Sequence, residues 1–254
     1  MVPNRSGEGN PWLFPESFTY ILEQQGPDGG WDALGQSSRE AKYSDSIWVP
    51  DCIIHSLPGL LALCRHLRLA TSKGGDKVPD DTLSRIFRAK IFLDSKLNIW
   101  DLDRTGHFGF DLLVPVLLQL LEDEGLTFNF PAKAELLQRY EAASNVDLRW
   151  LYNGPCRVPL FCLEAFIGKL DFSRLGHLVT KAGVTASPAS TAAYLIYSPT
   201  WSDQGETYLR HVLNHGQARE NGAVGGVFPL ELFEPSWVLT FVANFVRYME
   251  PYTK

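Results

Sequence analysis

The densest run of apolar positions lies at Leu112 to Leu121, where only Gln119 is polar. A helix that is apolar on nearly every face is either buried or membrane-spanning. Crossing a bilayer takes about 20 apolar residues, and this run is too short for that. The pattern therefore predicts a central core helix. A glycine-punctuated turn over 98–111 leads into it and sets Asp101, Asp103 and Asp111 at its mouth. Two readings of these acids stand: solvated carboxylates favoured by the helix dipole, or a chemical site.

The flanking pattern predicts further helices. Residues 1–13 read as an irregular lead-in and 14–254 as one helical domain. Phe14-Pro15-Glu16 opens a helix with Phe14, Phe18, Ile21 and Leu22 on one face. It ends at Gln25-Gly26-Pro27-Asp28-Gly29-Gly30-Trp31, and 32–50 read as a polar loop. A second helix is expected over 51–69, with His55 and His66 as structural histidines in or beside its apolar stripe. A third follows Asp81 as cap, carrying Leu83, Ile86, Phe87, Ile91 and Leu97. Glu122-Asp123-Glu124 reads as a solvated helix end, because acids there oppose the dipole. Helices are then expected from Pro131, over 160–170, at 172–179, behind the cap Ser187, over 203–215 and from Phe228 to Phe245. Residues 144–157 read as irregular and hold Arg149 and Arg157. No long stretch alternates with period two and no βαβ pattern occurs. The expected fold is all-α, an α/α barrel or toroid, with a helix bundle as second choice.

A chain of 254 residues, 45% apolar, supplies a sizeable core. A net charge of −6 and the lack of a basic run argue against nucleic acid or an anionic membrane surface as partner. The N-terminal residues have the pattern of neither a secretory signal nor a transit peptide. Four scattered cysteines without CxxC spacing suit reduced thiols in a cytoplasmic protein. Cys156, Cys162 and His177 lack metal-site spacing.

GxSxG, HExxH, P-loop and dinucleotide fingerprints are all missing. Carboxylates, arginines and aromatics remain. Mg2+ takes one or two carboxylates together with substrate phosphate oxygens, a role open to Asp111, Asp101 and Asp103. Arg149 or Arg157 would suit a diphosphate. Seven Trp, nine Tyr and fifteen Phe would line an apolar pocket or simply pack the core.

Five blocks, in order, carry a resemblance to the γ domain of class II diterpene cyclases, the copalyl diphosphate synthases and fungal bifunctional terpene synthases. Phe14-Pro15-Glu16-Ser17-Phe18 through Trp31 resembles the family's FPES…DGxW block. Gly109-Phe110-Asp111 through Gly125 resembles GFE…FPxLL, and Leu163-Glu164-Ala165-Phe166-Ile167-Gly168 resembles HSLEAFIG. Ala186-Ser187-Pro188-Ala189-Ser190-Thr191-Ala192-Ala193-Tyr194 resembles ASPSSTAAY. Gly225 to Trp237 resembles GGVP…FP…FExxW.

The resemblance implies an α-barrel lobe of a βγ or βγα enzyme. Its reaction would be protonation of geranylgeranyl diphosphate by a DxDD acid, ring closure, and loss of a proton to give copalyl diphosphate. Magnesium would assist at the retained diphosphate. The substrate would lie between this lobe and a β domain of the same or a partner chain. DxDD occurs nowhere in this sequence. The resemblance therefore implies a lobe that is inactive alone. Phe161 stands where the family has the histidine of HSLE, and Asp111 stands at the acid of GFE that is implicated in magnesium–diphosphate binding. Asn221 aligns with the asparagine that partners that histidine, or is a plain loop residue. An alternative is a non-catalytic assembly lobe. An α/α-toroid glycosidase is disfavoured by the five blocks.

Overall fold

The computed structural model describes residues 2–5, 10–31, 45–72, 80–105, 109–145, 147–154, 158–215, 222 and 224. Helix α1 (Pro15–Gln24) starts with proline in its first turn, where the missing N–H costs nothing, and buries Phe18. Helix α2 (Asp45–Ser72) begins earlier than its sequence pattern implied. The expectation that the loop runs to residue 50 is thereby corrected. Pro50 and Pro58 both lie inside this helix. An interior proline costs about 3 kcal/mol. Complete burial of Ile53, Leu57, Leu60 and Leu63 offsets that cost, at about 1.5–3 kcal/mol per large side chain.

Helix α3 (Asp80–Asn98) packs against α2. Helix α4 (Phe110–Asp123) is the central one: it packs against α2, against α5 (Lys133–Ser144) and against the segment Val158–Phe166. Two apolar cores flank it. Phe110, Val114, Leu118 and Leu121 belong to the first, with Phe18, Ile53, Leu57, Phe92, Leu93 and Leu136. Leu112 and Leu113 pack against the second, which holds Leu151, Leu163, Phe166, Leu175, Tyr194 and Leu209. The near-continuous apolar run thus has a reason, since α4 meets a core on both sides.

The second half departs from the helical reading in two places. Instead of a helix over 160–170, Val158–Phe166 forms 3-10 turns broken at Cys162 (φ −131°, ψ 44°). Instead of a helix over 172–179, short 3-10 turns at Phe172–Arg174 and Gly176–Leu178 lead into a hairpin. In this hairpin β1 (Val179–Thr180) pairs antiparallel with β2 (Gly183–Val184). The Asp171 side chain accepts the Ser173 N–H, a local bond that competes with helix propagation. Gly183 takes φ +65° at the tight return. Helices α6 (Pro188–Tyr197) and α7 (Asp203–His215) follow as the sequence pattern implies. The lead-in is irregular but not loose: Pro3 bridges Trp12, and Val2 and Trp12 are buried. The expected helix from Phe228 to Phe245 lies outside the described residues.

Candidate functional site

The Gln25–Trp31 turn is an anchor onto α3 and α2. Gly29 N donates to Gly26 O at 2.9 Å, and Gly30 N to the Asp28 carboxylate at 3.2 Å. The Gln25 amide donates to Gly29 O and across to Arg85 O at 3.0 Å. Arg85 returns a bond to Leu22 O at 2.8 Å. Trp31 N donates to Ser56 Oγ at 2.9 Å, while the Trp31 indole donates to Ile21 O at 2.8 Å. Gly29 has φ +96°, and a Cβ there would sit 2.5 Å from the Arg88 backbone. The chemistry of this block is therefore packing: the backbone approaches too closely for any side chain.

The acids at the mouth of α4 do not share one task. Asp101 caps the turn Leu102–Arg104 by accepting the Asp103 N–H, and pairs with Arg104 at 3.4 Å. Asp103 is 85% exposed and pairs with Arg139 of α5 at 2.5 Å; Arg139 also binds Glu135. Asp111 sits half-buried in the first turn of α4, next to Phe110 and behind the left-handed Gly109 (φ +85°). Among the described residues no group of three or more His, Cys, Asp or Glu side chains is placed to hold a metal. Arg104 and Arg139 neutralise Asp101 and Asp103 locally.

Arg149 is also engaged. Its guanidinium meets both Asp147 oxygens at 2.9 Å, and the pair is exposed. The Arg149 bonds hold the Asp147 carboxyl down to about 2. Arg157 and Asn221 lie outside the described residues, as does the side chain of Phe161.

Sequence reasoning missed two polar clusters. The first is at the C-terminal end of α4. Glu122 and Asp123 are solvent-exposed, but the Glu124 side chain is only 5% exposed and pairs with Arg65 (3.4 Å) and Arg68 (3.0 Å) of α2. The solvated reading is corrected for Glu124 alone: two arginines compensate both the burial and the unfavourable dipole. Arg65 also donates to the Tyr197 hydroxyl at 2.8 Å.

The second cluster joins two of the resembling blocks. Ser190 Oγ accepts the Leu163 N–H at 3.0 Å and donates to Glu164 Oε2 at 2.9 Å. Ser187 Oγ caps α6 by accepting Ser190 N–H at 3.2 Å, as the cap serine implied. Burial pushes the Glu164 carboxyl up; its own backbone bond and Ser190 partly counter this. The signal in the sequence was the pairing of a Leu-Glu block with a Ser-Pro-x-Ser block. Their contact across 26 positions needed the fold.

No family model matches this chain. It is 37% identical over 241 residues to copalyl diphosphate synthase of Talaromyces verruculosus, covering 94% of this chain and 24% of that protein. It is 36% identical over 243 residues to ent-kaur-16-ene synthase of Fusarium fujikuroi, again covering 94% and 24%. Pimaradiene synthase of Emericella nidulans is 36% identical over 242 residues, covering 94% and 23%. The chain thus spans about a quarter of the length of these curated relatives. Its fold matches ent-copalyl diphosphate synthase from Arabidopsis thaliana with a TM-score of 0.70 at 22% identity, over 98% of this chain and 33% of that one. Abietadiene synthase from Abies grandis gives 0.67 at 23% identity, over 93% and 28%. These two likenesses bear on fold and agree with the expected α-helical barrel. By fold and by extended identity the chain is thus similar to class II diterpene cyclases over 94% of its own length, matching about a quarter of theirs.

Proposed function

We propose that this chain is the γ lobe of a class II diterpene cyclase that converts geranylgeranyl diphosphate to a copalyl-type diphosphate. The observation that carries the reading is identity of 36–37% to diterpene cyclases over 94% of the chain. One proton enters at the terminal alkene, two rings close, one proton leaves, and the diphosphate is retained. The entering proton comes from a DxDD acid on a β domain, in the same polypeptide or a partner, so this chain alone is inactive. Magnesium would neutralise the diphosphate charge. Asp111 fits that task best: it is half-buried at a helix N-terminus, and among the described residues no arginine pairs with it. A single carboxylate plus phosphate oxygens and water is an ordinary Mg2+ environment. Asp101 and Asp103 would join only by leaving Arg104 and Arg139. Arg149, tethered to Asp147, and Arg157 are the proposed diphosphate cations. Asn221 would orient by its amide the water that takes the leaving proton, since Phe161 has no basic atom. The free thiols of Cys64 and Cys162 support a reducing, cytoplasmic setting. Among the described residues no helix is long and apolar enough to cross a membrane.

Sequencing the transcript beyond codon 254 and assaying the full encoded polypeptide with geranylgeranyl diphosphate tests this directly. An in-frame DxDD and a copalyl-type product are expected, with Asp111→Ala abolishing the magnesium response. Turnover that keeps its magnesium dependence in Asp111→Ala overturns the site assignment. No turnover by a polypeptide that carries DxDD overturns the function.

One observation favours the second reading, an assembly lobe. Leu83, Phe87 and Ile91 fall four residues apart on α3 and are 52%, 66% and 53% exposed. That spacing makes one apolar stripe, of the kind that marks contact surfaces. Under this reading a partner domain quenches dye binding at the stripe and no product forms.

A further inference from the structure

The break at Cys162 creates a problem that one hydroxyl solves. Once the backbone leaves helical angles at Cys162, the following N–H loses its place in the turn pattern. Leu163 is fully buried, so no water can take that N–H. An unmade hydrogen bond there would carry the whole desolvation penalty. Ser190 Oγ, itself fully buried, accepts it at 3.0 Å and sends its own proton to Glu164 Oε2 at 2.9 Å. One side chain therefore holds the two residues that follow the break. Ser190 is in turn fixed by the Ser187 cap and by its place in the first turn of α6.

The segment so held packs directly on α4, whose first turn carries Asp111. Leu112 and Leu113, next to Asp111, pack against the same core as Leu163. The 158–166 segment and the start of α4 thus share one core. We propose that Ser190 is a positioning residue: by pinning Leu163 and Glu164 it fixes the break at Cys162 and the core against which Leu112 and Leu113, next to Asp111, are packed. This inference rests on the cyclase reading for its catalytic consequence and on geometry alone for the pinning. Ser190 touches no substrate in this scheme. Glu164 is the acceptor that orients the hydroxyl, so that its lone pair stays available to Leu163.

Two measurements separate the inference from the reading it builds on. In this chain, amide exchange at Leu163 should rise tenfold or more in Ser190→Ala. The Val184 amide, which bonds Thr191 Oγ at 2.9 Å, should stay protected. Unchanged exchange at Leu163, or equal loss at both amides, overturns the pinning. Ser190→Cys, which keeps a weak donor and acceptor, should recover part of the protection and guards against a variant that merely misfolds. In the full encoded polypeptide, Ser190→Ala should lower kcat about tenfold while KM moves less than twofold, at a temperature where both proteins are folded. A wild-type polypeptide without turnover sinks the cyclase reading and leaves the exchange result to decide the pinning. A wild type that turns over alongside an equally active Ser190→Ala overturns the positioning role.

Discussion

Thr185 and Ala186 hold left-handed backbone (φ 52° and 56°) without being glycine. This conformation costs roughly 1–2 kcal/mol per residue for a side chain with Cβ. It is over-determined here: Ala186 N donates to Ala182 O, Ser187 N donates to Val184 O, and Ser187 must then cap α6. Ala186→Gly is therefore expected to be neutral or stabilising by up to about 1 kcal/mol, against the usual sign for Ala→Gly. Urea melts of the two proteins decide it. A second residue-scale test concerns His66. The Trp12 indole donates to its Nδ1 at 3.0 Å, and Phe18 stacks on it with centroids 4.2 Å apart. Burial lowers its pKa below the ordinary 6.5. The unfolded chain then binds the proton more readily than the folded one. The stability from this site is complete above about pH 6.5 and is lost as pH falls through the lower folded value. The melting temperature should drop between about pH 7 and pH 5, and His66→Gln should flatten that drop. The structural reading of both histidines was legible from their place along an apolar stripe; Trp12, 54 positions away, was not. His55 is held locally instead, bonded to Asp51 O at 2.7 Å.

Among the elements, the Gln25–Trp31 turn and α3 form one unit. Gly29 cannot accept a side chain, because positive φ and the Arg88 backbone at 2.5 Å both forbid it. Gly29→Ala should destabilise by about 1–3 kcal/mol. Amide exchange should loosen first along α3, and the loss should exceed that from alanine at the open Gly125, where no atom lies within 4 Å. Wild-type stability in Gly29→Ala would show that the turn relaxes freely. Glycine and proline punctuation announced this turn, and proline followed by glutamate announced α1, because these signals act within a few residues. The 158–166 segment was misread for the complementary reason. Leu160, Leu163 and Ile167 repeat at helical spacing, and periodicity cannot see a break made good by a serine on another helix.

At the scale of the whole molecule, two cores share α4, and Arg65 links them through polar bonds. It meets Glu124 at the end of α4 and Tyr197 at the end of α6. Glu124 is 5% exposed, so losing an arginine partner leaves a poorly compensated charge. Arg65→Met should cost about 2–4 kcal/mol and Tyr197→Phe about 1 kcal/mol. The double variant should cost less than the sum, since both remove the same bond. Strict additivity in the melts would deny the link. Neutralising the exposed Glu122 or Asp123 should change stability by less than about 0.5 kcal/mol.

Sequence alone determined the helical class, the buried central helix, the cap of α6, and, through five ordered blocks, the resemblance to diterpene cyclases. These are local or additive signals: periodicity follows from 3.6 residues per turn, and caps act across three positions. Tertiary structure decided what most of the acids meet. Asp101 and Asp103 are neutralised by neighbouring arginines, Glu124 is buried between two more, and Glu164 is tied to Ser190. Charge and burial depend on what the fold brings within a few ångströms, and along the chain those partners stand up to 59 residues apart.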